Sequence, residues 1–178
     1  MGHIDDSLLV GYDYTACKKN VHDTVDTFCS LGFIIHPDKS SFEPKQEIEF
    51  LGFLLNSVLM TIRLPPSKAS YVKKTCVELQ KQTQVTIRGL AHVIGLLVSS
   101  LPGVQFGELH YRQLEINKTA ALQRNKGNYD AIMHLTKDSR SELTWWIQNI
   151  ETSYKNITVS NPDITLTTDA STKGWGLC

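Results

Sequence analysis

Residues 3–11 have the sequence His3-Ile4-Asp5-Asp6-Ser7-Leu8-Leu9-Val10-Gly11. Two adjacent carboxylates repel each other and are poor strand formers, so Asp5 and Asp6 predict a tight turn between apolar flanks. A divalent cation would remove the repulsion, because hard oxygen ligands suit Mg²⁺. The pair therefore indicates either a metal site at the tip of a hairpin or an ordinary solvated turn.

The residues that follow predict an amphipathic helix and then a second hairpin. Apolar residues recur at helical spacing at Cys17, Val21, Val25 and Phe28. Gly32 predicts the end of this helix. Residues 48–62 alternate in polarity around Asn56-Ser57, which predicts one hairpin with its turn there. Gly52 inside the first strand indicates a bulge or a close approach of the backbone.

The second half of the chain is predicted to be mostly helical. Pro65-Pro66 breaks the chain before a helix whose apolar stripe is Ala69, Val72, Cys76 and Leu79. Thr86 is the expected cap of the next helix, which ends at Pro102-Gly103. Two further helices are expected over about 107–122 and 129–154, with Ile132, Leu135, Leu143, Trp146 and Ile150 in the core. Trp145-Trp146 could stack on nucleic-acid bases, but packing in the core is the favoured interpretation.

The zero net charge of the 178 residues hides a segregation along the chain. Residues 1–62 carry nine acids and four bases, whereas residues 63–88 carry six bases against Glu78 alone. An acidic metal-binding part followed by a basic arm suits an enzyme that holds a polyanion at bound cations. A solvated basic helix face is the alternative.

Composition excludes two other classes of protein. The hydrophobic content of 41% is sufficient for a core and excludes a mostly disordered chain. The sequence contains no apolar run of about 18 residues, so no membrane span is predicted. The first residues are acidic and do not resemble a signal peptide. The four cysteines lack the spacing of a zinc site and are expected to be reduced thiols. We therefore expect an intracellular protein, cytoplasmic or nuclear, without a membrane partner.

Five motifs in order resemble reverse transcriptases with an RNase H domain. They are the Asp5-Asp6 hairpin, Leu31 to Ser40 (the segment after the palm helix), Glu49-Phe50-Leu51-Gly52-Phe53 (the primer-grip hairpin), Ile62 to Lys68 (the thumb entry) and Thr168-Asp169-Ala170-Ser171 with Gly174-Trp175-Gly176 (the RNase H opening). The Leu-Pro-Pro entry and the tandem tryptophans are most similar to retrotransposons of the DIRS type.

This resemblance implies an α+β fold divided into four parts. Residues 1–62 would be the C-terminal part of a polymerase palm, with antiparallel strands, a helix and both hairpins. Residues 63–104 would form a helical thumb, and residues 105–160 the connection helices. Residues 161–178 would be the first strands of an RNase H-like domain.

The resemblance also implies a chemistry and its site residues. Nucleotidyl transfer by two Mg²⁺ (or Mn²⁺) ions would use Asp5 and Asp6 as catalytic metal ligands, with the first carboxylate on a palm strand upstream of Met1. Asp169 would be the first metal-binding carboxylate of the RNase H site, with its partners beyond Cys178. The parent enzyme would take an RNA template, a DNA primer and deoxynucleotides.

Seven residues are predicted to bind nucleic acid: Phe50, Leu51, Gly52, Lys68, Lys73, Lys74 and Lys81. We expect a central part of a retroelement RNA-directed DNA polymerase that is inactive by itself. The alternatives are a non-catalytic nucleic-acid-binding module and a decayed retroelement reading frame, which would fold poorly because a cut palm exposes sheet edges.

Overall fold

The computed structural model describes the backbone of residues 2–3, 6–158, 168–171 and 174–177, and the side chains of residues 6–158. The helices are α1 (Tyr14–Ser30), α2 (Pro66–Lys81), α3 (Ile87–Ser100), α4 (Arg112–Arg124) and α5 (Lys137–Asn149). The strands are β1 (Gly2–His3), β2 (Asp6–Ser7), β3 (Glu47–Phe50), β4 (Phe53–Asn56), β5 (Thr61–Arg63), β6 (Val85–Thr86), β7 (Ile132–Met133), β8 (Lys155–Asn156), β9 (Thr168–Ser171) and β10 (Gly174–Leu177). All strand pairs in the described parts are antiparallel, so the architecture is α+β, as predicted.

Local sequence determines both ends of α1. The Asp13 carboxylate accepts a hydrogen bond from the Ala16 N–H and caps the first turn. Gly32 has a φ of +84°, and the N–H of Phe33 donates to the Phe28 carbonyl at 2.9 Å. The rings of Phe28 and Phe33 also lie 5.7 Å apart, which completes a Schellman motif with its hydrophobic contact. The predicted helix and its stop at Gly32 are confirmed.

The segment predicted as one hairpin contains three strands. β3, β4, β5 and β8 form one sheet in that order. The tight turn lies at Leu51-Gly52, where Phe50 pairs with Phe53, and a wider connection at 57–60 joins β4 to β5. The predicted single turn at Asn56-Ser57 is therefore wrong, because a second reversal occurs five residues earlier.

The main core lies among α2, α3, α4 and α5 and joins the segments expected to be thumb and connection. It extends from Leu64 to Ile150, and Phe53 of the sheet packs against it. The predicted stripe of α2 is confirmed, since Ala69, Val72, Cys76 and Leu79 are all buried. The Thr86 hydroxyl caps α3 by accepting from the Gly89 N–H at 3.0 Å, also as predicted.

The helix predicted over 129–154 is shorter than expected. Only residues 137–149 are helical, because Ile132 and Met133 pair instead with Thr86 and Val85. Leu135, Leu143, Trp146 and Ile150 are buried as predicted, but Ile132 is exposed. The neighbouring Met133 takes its place in the core. A strand pair with a distant segment overrides the local helical pattern here.

The first sixty residues contribute little to this core. No residue of α1 is fully buried, and its predicted apolar stripe is only half-buried. Leu31, Phe33 and Ile34 are exposed after the helix. The strand predicted over 164–168 lies outside the described residues except for Thr168 in β9. None of the helices that the structure describes is both long and apolar enough to cross a membrane.

Candidate nucleic-acid interface

The β3–β4 turn presents two residues in an unusual backbone conformation. Leu51 has a φ of 51° and Gly52 a φ of 72°, the pair of positive values that a two-residue type I′ turn requires. Glycine adopts this conformation at no steric cost, whereas leucine is strained in it. Leu51 is 41% exposed at the tip of the hairpin. The turn thus leaves an apolar side chain partly exposed at the edge of the sheet.

Lys68, from the first turn of α2, reaches this hairpin. Its Nζ lies 4.5 Å from the centroid of the Phe53 ring, within the range of a cation–π contact. A Cβ built on Gly52 would lie 3.6 Å from the same Nζ. No carboxylate among residues 6–158 pairs with Lys68. The structure therefore brings four of the predicted nucleic-acid-binding residues together, namely Phe50, Leu51, Gly52 and Lys68.

The other three predicted lysines do not join this group. Lys73 is half-buried and forms an ion pair with Glu151, which follows α5. Lys74 lies 3.9 Å from Glu78 on the same helix. Lys81 is exposed, seven residues after Lys74 and so on the same helix face. Lys74 and Lys81 point away from the buried stripe, whereas Lys68 and Lys73 flank it on opposite sides.

The basic stretch 63–88 is partly neutralised by acids from other elements. Glu47 of β3 accepts hydrogen bonds from Asn56 and Arg63, and these bonds lower the pKa of its carboxyl. Arg88 makes a two-point contact with Asp130 at 2.8 and 3.1 Å. The hydrogen bonds from Arg88, and to a smaller extent its positive charge, lower the pKa of the Asp130 carboxyl. The segregation of charge along the sequence therefore does not produce a single surface patch of unpaired basic side chains.

Two of the predicted metal-binding carboxylates, Asp6 and Asp169, lie in different strand pairs. β1 and β2 pair with His3 opposite Asp6, so Asp6 begins the second strand and its side chain is exposed. Asp5 lies outside the described residues. Asp169 lies in β9 opposite Gly176 of β10, and its side chain is not described. Among the described residues, no group of three or more His, Cys, Asp and Glu residues could hold a metal ion.

The tandem tryptophans are packing residues. Trp146 is fully buried, and its Nε1–H donates to the His110 carbonyl at 2.7 Å. Trp145 is half-buried, with its ring stacked on His110 at 4.0 Å. Their perpendicular arrangement joins α5 to the segment before α4. The predicted core role is thus confirmed for Trp146.

Phe53 belongs to the predicted primer-grip motif but not to the seven residues predicted to bind nucleic acid. Its ring faces the Lys68 ammonium and packs against the main core at the same time. An aromatic residue directly after the Leu-Gly turn was the available signal, because it must pair across the turn with Phe50.

Comparison with known proteins assigns no family to this chain. No family model, curated protein or solved structure matches it. The order of the motifs and the geometry of the hairpin and α2 are therefore the basis for the function proposed below.

Proposed function

We propose that this chain is the central, nucleic-acid-binding part of a retroelement reverse transcriptase with RNase H. In this proposal the β3–β4 hairpin and the lysines Lys68, Lys74 and Lys81 along α2 contact an RNA–DNA primer–template duplex. The hairpin corresponds by resemblance to the primer grip, and α2 to the first helix of the thumb. DNA synthesis and RNA cleavage belong to the whole enzyme.

The single observation that supports this proposal best is the contact of Lys68 with the hairpin. A cation beside an exposed turn provides a phosphate contact next to an apolar contact. Phosphate contacts position a duplex without reading its sequence, as a polymerase requires. The ring of Phe53 keeps the ammonium at the turn, and no described carboxylate competes with phosphate for it.

The proposed catalytic role of the acidic hairpin is separate from binding. Asp5 and Asp6 would supply two hard carboxylate ligands for Mg²⁺ or Mn²⁺, and the exposed side chain of Asp6 is accessible to an ion. When bound, the ions would stabilise the charge that develops during nucleotidyl transfer. Asp169 would have the corresponding role in RNase H. Both sites need carboxylates from further strands.

We expect no polymerase or RNase H turnover from these 178 residues alone. A primer-extension assay with Mg²⁺ should give no product with the wild-type chain. Product that disappears in the double variant Asp5→Asn/Asp6→Asn would contradict this prediction, since it would show that the two carboxylates suffice.

The buried core favours a folded binding module over a decayed reading frame. Nineteen hydrophobic residues are buried in one cluster, and no buried side-chain nitrogen or oxygen in the described part lacks a hydrogen-bond partner. Hydrogen bonding of every buried polar group is typical of a sequence that specifies its fold. Circular dichroism should therefore show a cooperative thermal transition, whereas a decayed frame would show none.

Binding of the chain to an RNA–DNA duplex across a salt series tests the proposed grip. Three phosphate contacts by Lys68, Lys74 and Lys81 would give a log–log slope of about −2 to −3. The triple variant with these lysines changed to Gln should lose most of this slope. The matched control changes three exposed lysines on other elements, Lys39, Lys126 and Lys137, to Gln and should keep it. Equal losses in both variants would refute the proposed surface.

A further inference from the structure

A groove of about 370 Å³ lies between one face of α4 and the extended segment 132–136. Asn117, Ala121 and Arg124 line the helical side, and their spacing places them on one face of α4. Ile132 and Leu135 line the opposite side. The volume falls within the range of about 300–1,000 Å³ that small-molecule sites occupy. No carboxylate lines the groove, so its lining is compatible with an anion.

Asn117 offers a hydrogen-bond donor to this groove. The residue is 8% exposed, and its Oδ1 accepts from the Thr136 N–H and from the Ser139 hydroxyl, both at 3.1 Å. A backbone N–H can only donate, so this contact fixes which end of the amide is oxygen. No described group accepts a hydrogen bond from Nδ2. Since no buried side-chain nitrogen among the described residues lacks a partner, this Nδ2 is reached by solvent and can donate to a ligand in the groove.

Arg124 supplies the positive charge of the groove. It is exposed at the last turn of α4, and no carboxylate among residues 6–158 pairs with it. The neighbouring His134 is held by a 3.0 Å contact between its Nδ1 and the Thr83 carbonyl. Because a carbonyl only accepts, Nδ1 donates in this contact. The groove thus combines a cation, an amide donor and apolar walls.

We propose that this groove binds a phosphorylated heterocycle of the size of one nucleotide. Arg124 binds the phosphate through its paired N–H donors, and the exposed side chain of Ile132 packs against the ring. The Asn117 amide donates to an acceptor on the ring. The ligand is either a free nucleotide or the phosphorylated end of a strand, which share this chemistry.

This site is distinct from the proposed duplex grip. None of the three lysines of the proposed grip, Lys68, Lys74 and Lys81, lines the groove. Loss of binding in the groove would therefore leave the duplex grip intact, and failure of one proposal does not imply failure of the other.

Titration of the ¹⁵N-labelled chain with uridine 5′-monophosphate, followed by NMR, tests the site. We expect the side-chain amide signals of Asn117 to shift and saturate. Arg124→Gln should weaken binding at least tenfold, because the phosphate loses a charge-assisted contact. Ile132→Glu, which places a carboxylate at an exposed lining position, should do the same. Lys126→Gln, two residues from Arg124 but outside the lining, is the matched control and should bind normally. The spectrum of each variant also reports whether it is folded.

Three ligand comparisons complete the test. Uridine should bind at least tenfold more weakly than its monophosphate, and inorganic phosphate should leave the Asn117 amide signals unshifted. A 5′-phosphorylated tetrauridylate that binds more tightly than the monophosphate would identify a strand end, and equal or weaker binding a free nucleotide. The proposal is overturned if uridine and its monophosphate bind equally, if the Asn117 amide does not respond at saturation, or if Lys126→Gln weakens binding as much as Arg124→Gln.

Discussion

Cys76 shows how burial changes the chemistry of a single side chain in this core. The residue is fully buried in the stripe by which α2 packs. Removal from water disfavours the thiolate and raises the pKa of Cys76 to about 12, from a reference value of 9.0. The folded chain therefore keeps this thiol protonated at pH values where the unfolded chain ionises it.

This difference in pKa predicts a loss of stability in alkaline solution. As the pH rises through about 9, the unfolded state gains the thiolate and the folded state does not, so the free energy of unfolding falls. Between pH 8 and pH 10, the stability advantage of the wild type over Cys76→Ala should shrink by about 1.4 kcal/mol. Urea unfolding of both proteins at the two pH values measures it. A constant difference would show that the thiol is accessible to water.

Whether the contacts of a residue can be predicted depends on how far along the sequence its partners lie. The stripe of α2 follows from helical spacing alone, and Cys76 was assigned to it correctly. The contact of Lys68 with Phe53 was not predicted, because the partner lies on a hairpin whose turn was misplaced. Leu51 at a φ of 51° also gave no signal, since leucine is rare in such turns.

The start of α4 is capped by a side chain from another helix. Its N-cap residue, Tyr111, makes no side-chain cap. Instead the buried carboxylate of Glu142 on α5 accepts from the N–H groups of Gln113 and Leu114 at 3.0 and 2.9 Å. These are free donors of the first turn, and a negative charge there also interacts favourably with the helix dipole. The Glu142 side chain on α5 thus accepts hydrogen bonds from the first turn of α4 and connects the two helices.

Removal of this cap should be costly. Glu142→Ala leaves two N–H groups without acceptors, one of them buried, and should lower the free energy of unfolding by about 2–3 kcal/mol. Glu142→Gln keeps one acceptor oxygen and should lose less. The control is Glu108→Ala, which removes only a surface ion pair with Lys155 and should cost less than about 1 kcal/mol. Urea denaturation of the three variants decides this, and equal losses in Glu142→Ala and Glu108→Ala would contradict a capping role.

Helices were predicted better than strand pairs because their evidence is local. α1, α2 and α3 follow from spacing, caps and stop residues within each segment. The pairing of Ile132 and Met133 with β6 joins positions more than forty residues apart, and no local pattern encodes it. The same limitation explains the misplaced turn between β3 and β5. Local alternation does not distinguish one long hairpin from three short strands.

The distribution of charge over the whole chain differs from its distribution along the sequence. Three of the six bases in residues 63–88 contact acids from other elements: Arg63 with Glu47, Lys73 with Glu151 and Arg88 with Asp130. The fold thereby removes part of the cationic surface that composition alone suggested. The number of basic side chains that can contact phosphate therefore depends on these ion pairs. A substitution of the acidic partner opens such a pair.

Opening one of these ion pairs should strengthen the proposed duplex grip. Glu151→Gln releases Lys73, which lies on the helix that carries Lys68, and should add up to one phosphate contact. The log–log salt slope should then steepen by about 0.9, with tighter binding at low salt. The matched control is Glu115→Gln, which releases Lys118 on α4 and should leave the slope unchanged. If both variants tighten binding equally, the duplex responds to net charge rather than to α2, and the assignment of this helix as the binding surface is wrong.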